Sequence, residues 1–101
     1  MSVNIDLHFT VSRLADPAQA EAVAASIGEL LRDEGFEAQI SYGAVRDNGV
    51  DYVSGESKFP ISISGFGRWQ PYFESSFGAA VAEAAPDAEV SIDWGYPDEE
   101  Y

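Results

Sequence analysis

Residues 3–12 read Val-Asn-Ile-Asp-Leu-His-Phe-Thr-Val-Ser, an unbroken alternation of apolar and polar side chains. Because successive side chains of a β-strand point to opposite faces, this period of two predicts a strand with one buried face and one solvated face. Strands of this kind belong to antiparallel sheets that are covered on one side only. The rest of the chain must therefore supply the partner strands and the covering layer.

A helix is predicted directly after this strand. Asp16 is suited to cap its N-terminus, Pro17 to the first helical position and Gln19 to the capping-box position. Apolar residues recur after Pro17 at helical spacing, and Gly35 is placed just past the helix end. The alternation then resumes over residues 36–44, which predicts the second strand.

The segment in the middle of the chain has two interpretations. Residues 46–57 are mostly polar and contain Asn48-Gly49, a dipeptide typical of two-residue β-hairpin turns. The segment is either a long loop or a hairpin in which residues 50–53 form a short extra strand. The sequence leaves both possibilities open.

The second half of the chain begins with another strand and helix. Residues 59–64 predict a strand in which Phe59 faces inward, and Pro60 indicates that its start lies at a sheet edge or a bulge. Residues 65–70 are expected to form a loop, and Pro71 is expected to begin the second helix.

The order of elements predicts the fold class. A last alternating segment, residues 89–94, completes a β-α-β-β-α-β order, which is the ferredoxin-like plan. Right-handed crossovers place both helices on one face of a four-stranded antiparallel sheet, in the spatial order 4-1-3-2. We therefore expect one α+β ferredoxin-like sandwich domain over residues 1–96, followed by an acidic C-terminal tail at residues 97–101.

Charge is the strongest functional signal in the chain. Eighteen Asp and Glu stand against five Lys and Arg, which gives a formal net charge of −13. Residues 1–35 carry −4, residues 36–69 carry −1, and residues 70–101 carry −8 with no Lys or Arg. A field of this sign attracts basic surfaces and repels nucleic acid. We expect the partner to be a basic protein surface, with no direct binding of nucleic acid.

Composition disfavours several other classes of protein. The chain has no cysteine, so it forms no disulfide and no Cys-based metal site. It has no apolar run of membrane-spanning length, and residues 1–6 lack the pattern of a signal peptide. We therefore expect no membrane association and a cytoplasmic location.

Asp6, His8 and Asp93 are predicted to lie close together on adjacent strands of the solvated sheet face. Carboxylates with a histidine are able to bind a divalent metal, but a solvated polar face accounts for the same residues without a ligand. No nucleophile accompanies them. We expect no metal, no other cofactor and no enzymatic activity.

The expected partner-binding residues come mainly from the acidic last third. They are Glu74, Glu83, Asp87, Glu89, Asp93, Asp98, Glu99 and Glu100. Arg68, Trp69 and Tyr72 are included because these residue types are enriched at interface hot spots. The alternative for Trp69 is that it closes one end of the core, and for Arg68 that it pairs with a nearby carboxylate.

These features favour a non-enzymatic acidic protein-binding module, an inhibitor or regulator that occupies a basic, nucleic-acid-binding surface in place of DNA. In size and charge the chain resembles the small acidic anti-restriction and anti-CRISPR proteins of phages, which implies a DNA-mimic, anti-defence role. The alternative is a small globular domain whose acidity reflects a halophilic or high-GC host. Such a domain would have a structural or regulatory role, with homodimerisation as one form of it.

Overall fold

The fold is known from a computed structural model, which describes residues 2–96. The predicted tail at residues 97–101, with Asp98, Glu99 and Glu100, lies outside the described residues. The strands are β1 (Ser2–Ser12), β2 (Ile40–Asp47), β3 (Val50–Ser57), β4 (Ile61–Ser64) and β5 (Glu89–Gly95). The helices are α1 (Pro17–Asp33) and α2 (Phe66–Ala84), with a short 3₁₀ helix at Glu37–Gln39.

The strands form one antiparallel sheet built around β1. Residues 8–11 of β1 pair with β3, residues 2–5 pair with β4, and residues 6–12 pair with β5. Only residues 58–60 separate β3 from β4. Both strands pair with the same side of β1, β3 with its second half and β4 with its first half, so β4 continues β3 in the same position of the sheet. β2 pairs with β3 at one edge. The five strands therefore fill the four predicted positions, and the α+β ferredoxin-like fold is confirmed.

The middle segment is a hairpin, and its second strand is longer than residues 50–53. Asn48 and Gly49 have φ angles of 51° and 78°, the left-handed pair that a type I′ turn requires. β3 then runs as far as Ser57 and pairs with both β1 and β2. The sheet thus gains a full-length strand where the sequence also allowed a loop.

The end of α1 matches its predicted signal, but the second strand starts later than expected. Gly35 has φ 82°, and the N–H of Phe36 donates to the carbonyl of Leu31 at 2.8 Å, as in a Schellman motif. The chain then makes the 3₁₀ turn, and β2 begins only at Ile40. The predicted strand over residues 36–44 was therefore wrong at its start.

The prediction that Phe59 faces inward was also wrong, since 51% of this residue is exposed. Pro60 has no N–H to donate to the ladder, and pairing stops over residues 58–60. Pairing with β1 resumes with Ile61 opposite Ile5. Ile61 and Ile63 are buried, because the pairing of β4 with β1 sets them beside the apolar residues Ile5 and Val3.

α2 begins at Phe66, so the prediction of a loop over residues 65–70 and a helix start at Pro71 was wrong. The carbonyl of Gly65 accepts from the N–H groups of Arg68 and Trp69 at 3.0 and 2.9 Å, which closes the first turn. Pro71 lies inside the helix, where its missing N–H removes one hydrogen bond without ending the helix.

The core lies between the sheet and the two helices. Its largest fully buried side chains include Phe9 from β1 and Phe73 and Phe77 from α2, and the rings of Phe9 and Phe77 meet edge to face at 4.9 Å. Burying each such side chain contributes about 1.5–3 kcal/mol. Neither helix within residues 2–96 has the length and hydrophobicity needed to cross a membrane.

Candidate functional site

The face of the sheet that points away from the helices is here called the open face. Its outward strand residues are mostly small or polar. They are Asn4, Asp6, His8, Thr10 and Ser12 from β1, Ser41, Gly43, Val45 and Asp47 from β2, Val50, Tyr52, Ser54 and Glu56 from β3, Ser62 and Ser64 from β4, and Glu89, Ser91, Asp93 and Gly95 from β5. The predicted polar face is therefore present, except that residues 37–39 belong to the 3₁₀ helix.

The open face is acidic. Its strand residues include five carboxylates and no Lys or Arg. These carboxylates belong to Asp6, Asp47, Glu56, Glu89 and Asp93. One carboxylate of this face has a basic neighbour: Nε of Arg13, just after β1, lies 3.2 Å from Oε2 of Glu89. Both side chains are largely exposed, so this pair contributes little to stability.

A row of three polar residues crosses the centre of the open face. His8 on β1 is paired with Asp93 on β5 and with Glu56 on β3, so the histidine lies between two carboxylates. Nδ1 of His8 is 4.0 Å from Oδ2 of Asp93, and the two side chains are 52% and 77% exposed. The described residues contain no group of three or more His, Cys, Asp or Glu arranged to hold a metal ion.

Two shallow depressions flank the row. One has a volume of about 440 Å³ and is lined by residues that include Asp6, His8, Glu56 and Asp93. The other has a volume of about 310 Å³, and it shares His8 and Glu56 with the first. The His8–Glu56 pair therefore stands between two spaces, both open to solvent.

A second acidic area lies on the helical side. Glu29 and Asp33 of α1 and Glu83 of α2 line a groove between the two helices, together with small Ser and Ala residues. Carboxylates therefore occupy both layers of the molecule. Charge alone does not select one face.

Few of the chain's cations remain to offset this charge. Arg13 pairs with Glu89, Arg32 with Glu37, and Arg46 with Asp51, so three of the five cations already have acidic neighbours. The Arg32–Glu37 pair is the closest, with Nη2 2.8 Å from Oε2. The hydrogen bond from Arg32 lowers the pKa of Glu37 below its ordinary value.

The predicted acidic residues of the last third do not form one surface. Glu89 and Asp93 lie on the open face, Glu83 lies in the groove between the helices, and Asp87 is exposed in the turn before β5. Glu74 is bonded within the protein, since its Oε2 accepts from the indole N–H of Trp94 at 2.6 Å. Acidic residues that are close in sequence therefore lie on different sides of the molecule, some on the open face and some on the helical side.

The three predicted hot-spot residues do not share one environment: Trp69 packs against the core, whereas Arg68 and Tyr72 are exposed. Trp69 is half-buried, and its ring stacks on Phe73 with centroids 4.6 Å apart, so it closes one end of the core as the alternative expected. Its indole N–H donates to Glu34 at 3.1 Å, and the Tyr72 hydroxyl donates to the same carboxylate at 2.9 Å. That hydrogen bond raises the pKa of Tyr72. Tyr72 and Arg68 remain exposed on α2.

The sequence argument missed Glu56 as a candidate binding residue. Glu56 lies in residues 46–57, for which the sequence allows both a loop and a hairpin, so the sequence alone does not assign its side chain to a face. The Asn48-Gly49 turn carried the necessary signal. Once the hairpin is accepted, counting in twos from the turn places Glu56 on the open face, where it is paired with His8.

Comparison with known proteins gives the fold but no family. Neither the protein-family models nor the curated proteins compared with the chain gave a match. A dimeric ferredoxin-like protein from an uncultured marine organism matches with a TM-score of 0.60 and 14% identity, covering 97% of this chain and 99% of that one. The de novo designed protein Foldit4 matches with a TM-score of 0.58 and 11% identity, and the match covers 90% of this chain and 94% of that one. The designed ferredoxin-fold protein LFR1 1 matches with a TM-score of 0.51 and 12% identity, and the match covers 91% of this chain and 84% of that one.

Proposed function

We propose that this protein is a non-enzymatic module that binds a basic protein surface with its open face. The observation that carries the proposal is the composition of that face. Its strand residues present five carboxylates and no Lys or Arg. A surface of one sign steers a partner of the opposite sign and disfavours partners of the same sign.

The geometry of the sheet favours the open face over the groove between the helices. Asp93, His8 and Glu56 are held in one row by the backbone pairing of three strands, whose spacing is about 4.8 Å. The acids of the groove project from two separate helices. A partner that binds the sheet therefore meets carboxylates whose backbone positions are already fixed in one row, which lowers the entropic cost of association.

In its most specific form, the proposal makes the protein an inhibitor or regulator that takes the place of DNA on a nucleic-acid-binding protein. Carboxylates would then stand where phosphates stand in the natural complex. The net charge of −13 supports this form, because surfaces that bind nucleic acid are generally basic and attract an acidic protein. Binding should weaken as salt is raised, and the partner should release DNA when the module binds.

Two double variants with the same change in net charge test the proposal. Glu56→Gln with Asp93→Asn neutralises the open face, and Glu29→Gln with Glu83→Gln neutralises the helical groove. The probe is a short fluorescent peptide of alternating arginine and lysine, and the readout is fluorescence anisotropy at low and physiological salt. We expect the open-face variant to weaken binding roughly tenfold, because each lost ion pair is worth about 0.5–1 kcal/mol.

The groove variant serves as the matched control and should change the Kd less than about twofold. If the two variants weaken binding equally, the peptide is responding to net charge and the open face is not a site. A labelled DNA duplex bound to the same peptide tests the mimic form. Failure of the parent protein to displace the duplex would sink that form while leaving the binding module in place.

A second candidate function is a structural or regulatory homodimer whose acidity reflects its host. The observation in its favour is the dimeric ferredoxin-like protein of similar fold, which matches almost the whole of this chain. Two copies that met through their open faces would bring like charges together, so this dimer should form only where salt screens them. Light scattering across a salt series separates the two candidates: the binding module stays monomeric, and the homodimer assembles as salt rises.

A further inference from the structure

We infer that the partner group read by the open face is an arginine side chain. Its guanidinium lies over the imidazole of His8, with Asp93 accepting on one side and Glu56 on the other. This inference rests on the proposed function and names the chemistry of the partner. It concerns only the central row of the open face.

The row provides two acceptors at a spacing set by the sheet. Cβ atoms of directly paired residues lie about 5 Å apart, so Asp93 and Glu56 flank His8 at roughly equal distances on its two sides. The 4.0 Å between His8 Nδ1 and Asp93 Oδ2 is longer than a hydrogen bond. With 77% of its side chain exposed, Asp93 is therefore free to accept from a partner.

This spacing favours arginine over lysine. An ammonium nitrogen must lie within about 2.9 Å of each oxygen that it serves, so a lysine bridges the two acceptors only if both carboxylates fold inward over the histidine, whereas a guanidinium spans a wider gap. A guanidinium is planar, carries donors along more than one edge and stacks on flat aromatic rings. The imidazole supplies the surface for stacking, and the two carboxylates accept from the two edges of the guanidinium plane.

The space above the row also fits an extended partner segment. The larger depression, of about 440 Å³, lies on the side of Asp6 and Asp93, and the smaller one, of about 310 Å³, lies on the side of Ser41 and Gly43. In an extended chain, alternate side chains point the same way about 6.8 Å apart. The arginine occupies the larger depression, because Asp93 and Glu56 both line it, whereas Glu56 alone of the two lines the smaller one. A neighbouring side chain of the partner would then lie over the smaller depression.

Two peptides of equal length and charge test the inference, one with arginine alternating with glycine and one with lysine in place of each arginine. For the parent protein we expect the arginine peptide to bind roughly fivefold more tightly than the lysine peptide. His8→Ala should bring this ratio close to one without weakening the lysine peptide, since lysine does not use the stacking surface. Thr10→Ala, in the next row of the open face, is the matched control and should leave the ratio unchanged.

The outcomes distinguish this inference from the function on which it rests. Equal affinity of the parent for the two peptides overturns arginine recognition, and the proposed function survives if Glu56→Gln with Asp93→Asn still weakens both. A ratio that persists in His8→Ala overturns the stacking role. Binding of neither peptide overturns the inference and the proposed function together. Circular dichroism of each variant confirms that it is folded, which is expected because about half of the His8 side chain is exposed.

Discussion

Gly55 is the position at which one added methyl group should disturb the core most. It lies on β3 directly opposite Phe9 of β1, and the fully buried ring of Phe9 covers it. A Cβ atom built on Gly55 would lie 2.6 Å from Cε2 and 2.9 Å from Cε1 of that ring. Carbon atoms that pack well are about 3.5–4.0 Å apart. Either the ring or the strand must therefore move.

The ring has little room to move, because it is fully buried and also meets the ring of Phe77 with centroids 4.9 Å apart. Overpacking of this kind costs about 1–3 kcal/mol. We expect Gly55→Ala to lower the free energy of unfolding by about 2 kcal/mol, equivalent to a fall in Tm of about 8–16 °C in a domain of this size. Gly43→Ala is the control, since nothing lies within 4 Å of its added Cβ and its stability should change by less than about 1 kcal/mol.

Urea denaturation followed by tryptophan fluorescence measures both changes. A third variant, Phe9→Leu, shortens the side chain that Gly55 accommodates. When residue 9 is leucine, Gly55→Ala should lower the free energy of unfolding by at least about 0.5 kcal/mol less than it does in the parent protein, which is the coupling expected of residues in contact. The reasoning is refuted if Gly55→Ala is as stable as Gly43→Ala, or if its cost is unchanged when Phe9 is leucine.

The remaining predictions concern charge, the aromatic end of the core and alkaline stability. Thermal unfolding should be cooperative in low, physiological and multimolar KCl, with a Tm that rises with salt as the self-repulsion of the net charge of −13 is screened. Poor folding below molar salt would instead indicate a halophile's surface. Trp69→Ala should lower the free energy of unfolding by about 3 kcal/mol, because the ring stacks on Phe73. Arg68→Ala should change it by less than about 0.5 kcal/mol, because Arg68 is exposed. Equal stabilities of the two variants in urea melts would contradict this. Burial and the hydrogen bond to Glu37 raise the pKa of Tyr42 above its ordinary 10.0, so its contribution to stability is complete below that pH and is lost as pH rises through the folded-state pKa. Tyr42→Phe should therefore lose less stability than the parent over that alkaline range, as measured by urea melts at each pH, and an equal loss would show that Tyr42 is not the group responsible.

Elements whose signals are local could be predicted from the sequence. The alternation of residues 3–12 gave the central strand because a period of two needs no knowledge of the partners. Asp16 caps α1 as expected, with Oδ1 accepting from the N–H of Gln19 at 2.8 Å. Gly35 ends the helix as expected, because the left-handed conformation it adopts is costly for other residues.

The errors in the fold arose where contacts between distant segments decide the conformation. Phe59 was predicted to face inward by continuing one alternation, but the chain pairs with β1 in two separate stretches and is interrupted around Pro60. The predicted helix start at Pro71 rests on the frequency of proline at the first helical position. In the structure the helix extends back to Phe66, whose burial against the core stabilises the extra turn.

The candidate site could be predicted in part, for the same reason. His8 and Asp93 were assigned to neighbouring strands because each strand had a clear alternation, and they are directly paired. Glu56 could not be assigned until the length of the hairpin was known. Glu74 and Glu83 were grouped with Asp93 by sequence position, whereas the fold places α2 and the open face on opposite sides of the sheet.

The most direct test of the central claim is a map of where a basic peptide contacts the protein. A ¹⁵N–¹H correlation spectrum of the labelled protein, titrated with the alternating arginine and lysine peptide, reports on each backbone amide. We predict that the shifted amides lie on β1, β3 and β5 around His8, Glu56 and Asp93, while those of α1 and α2 stay in place. Shifts centred on the groove at Glu29 and Glu83, or spread evenly over the surface, would contradict the claim that the open face is the binding site.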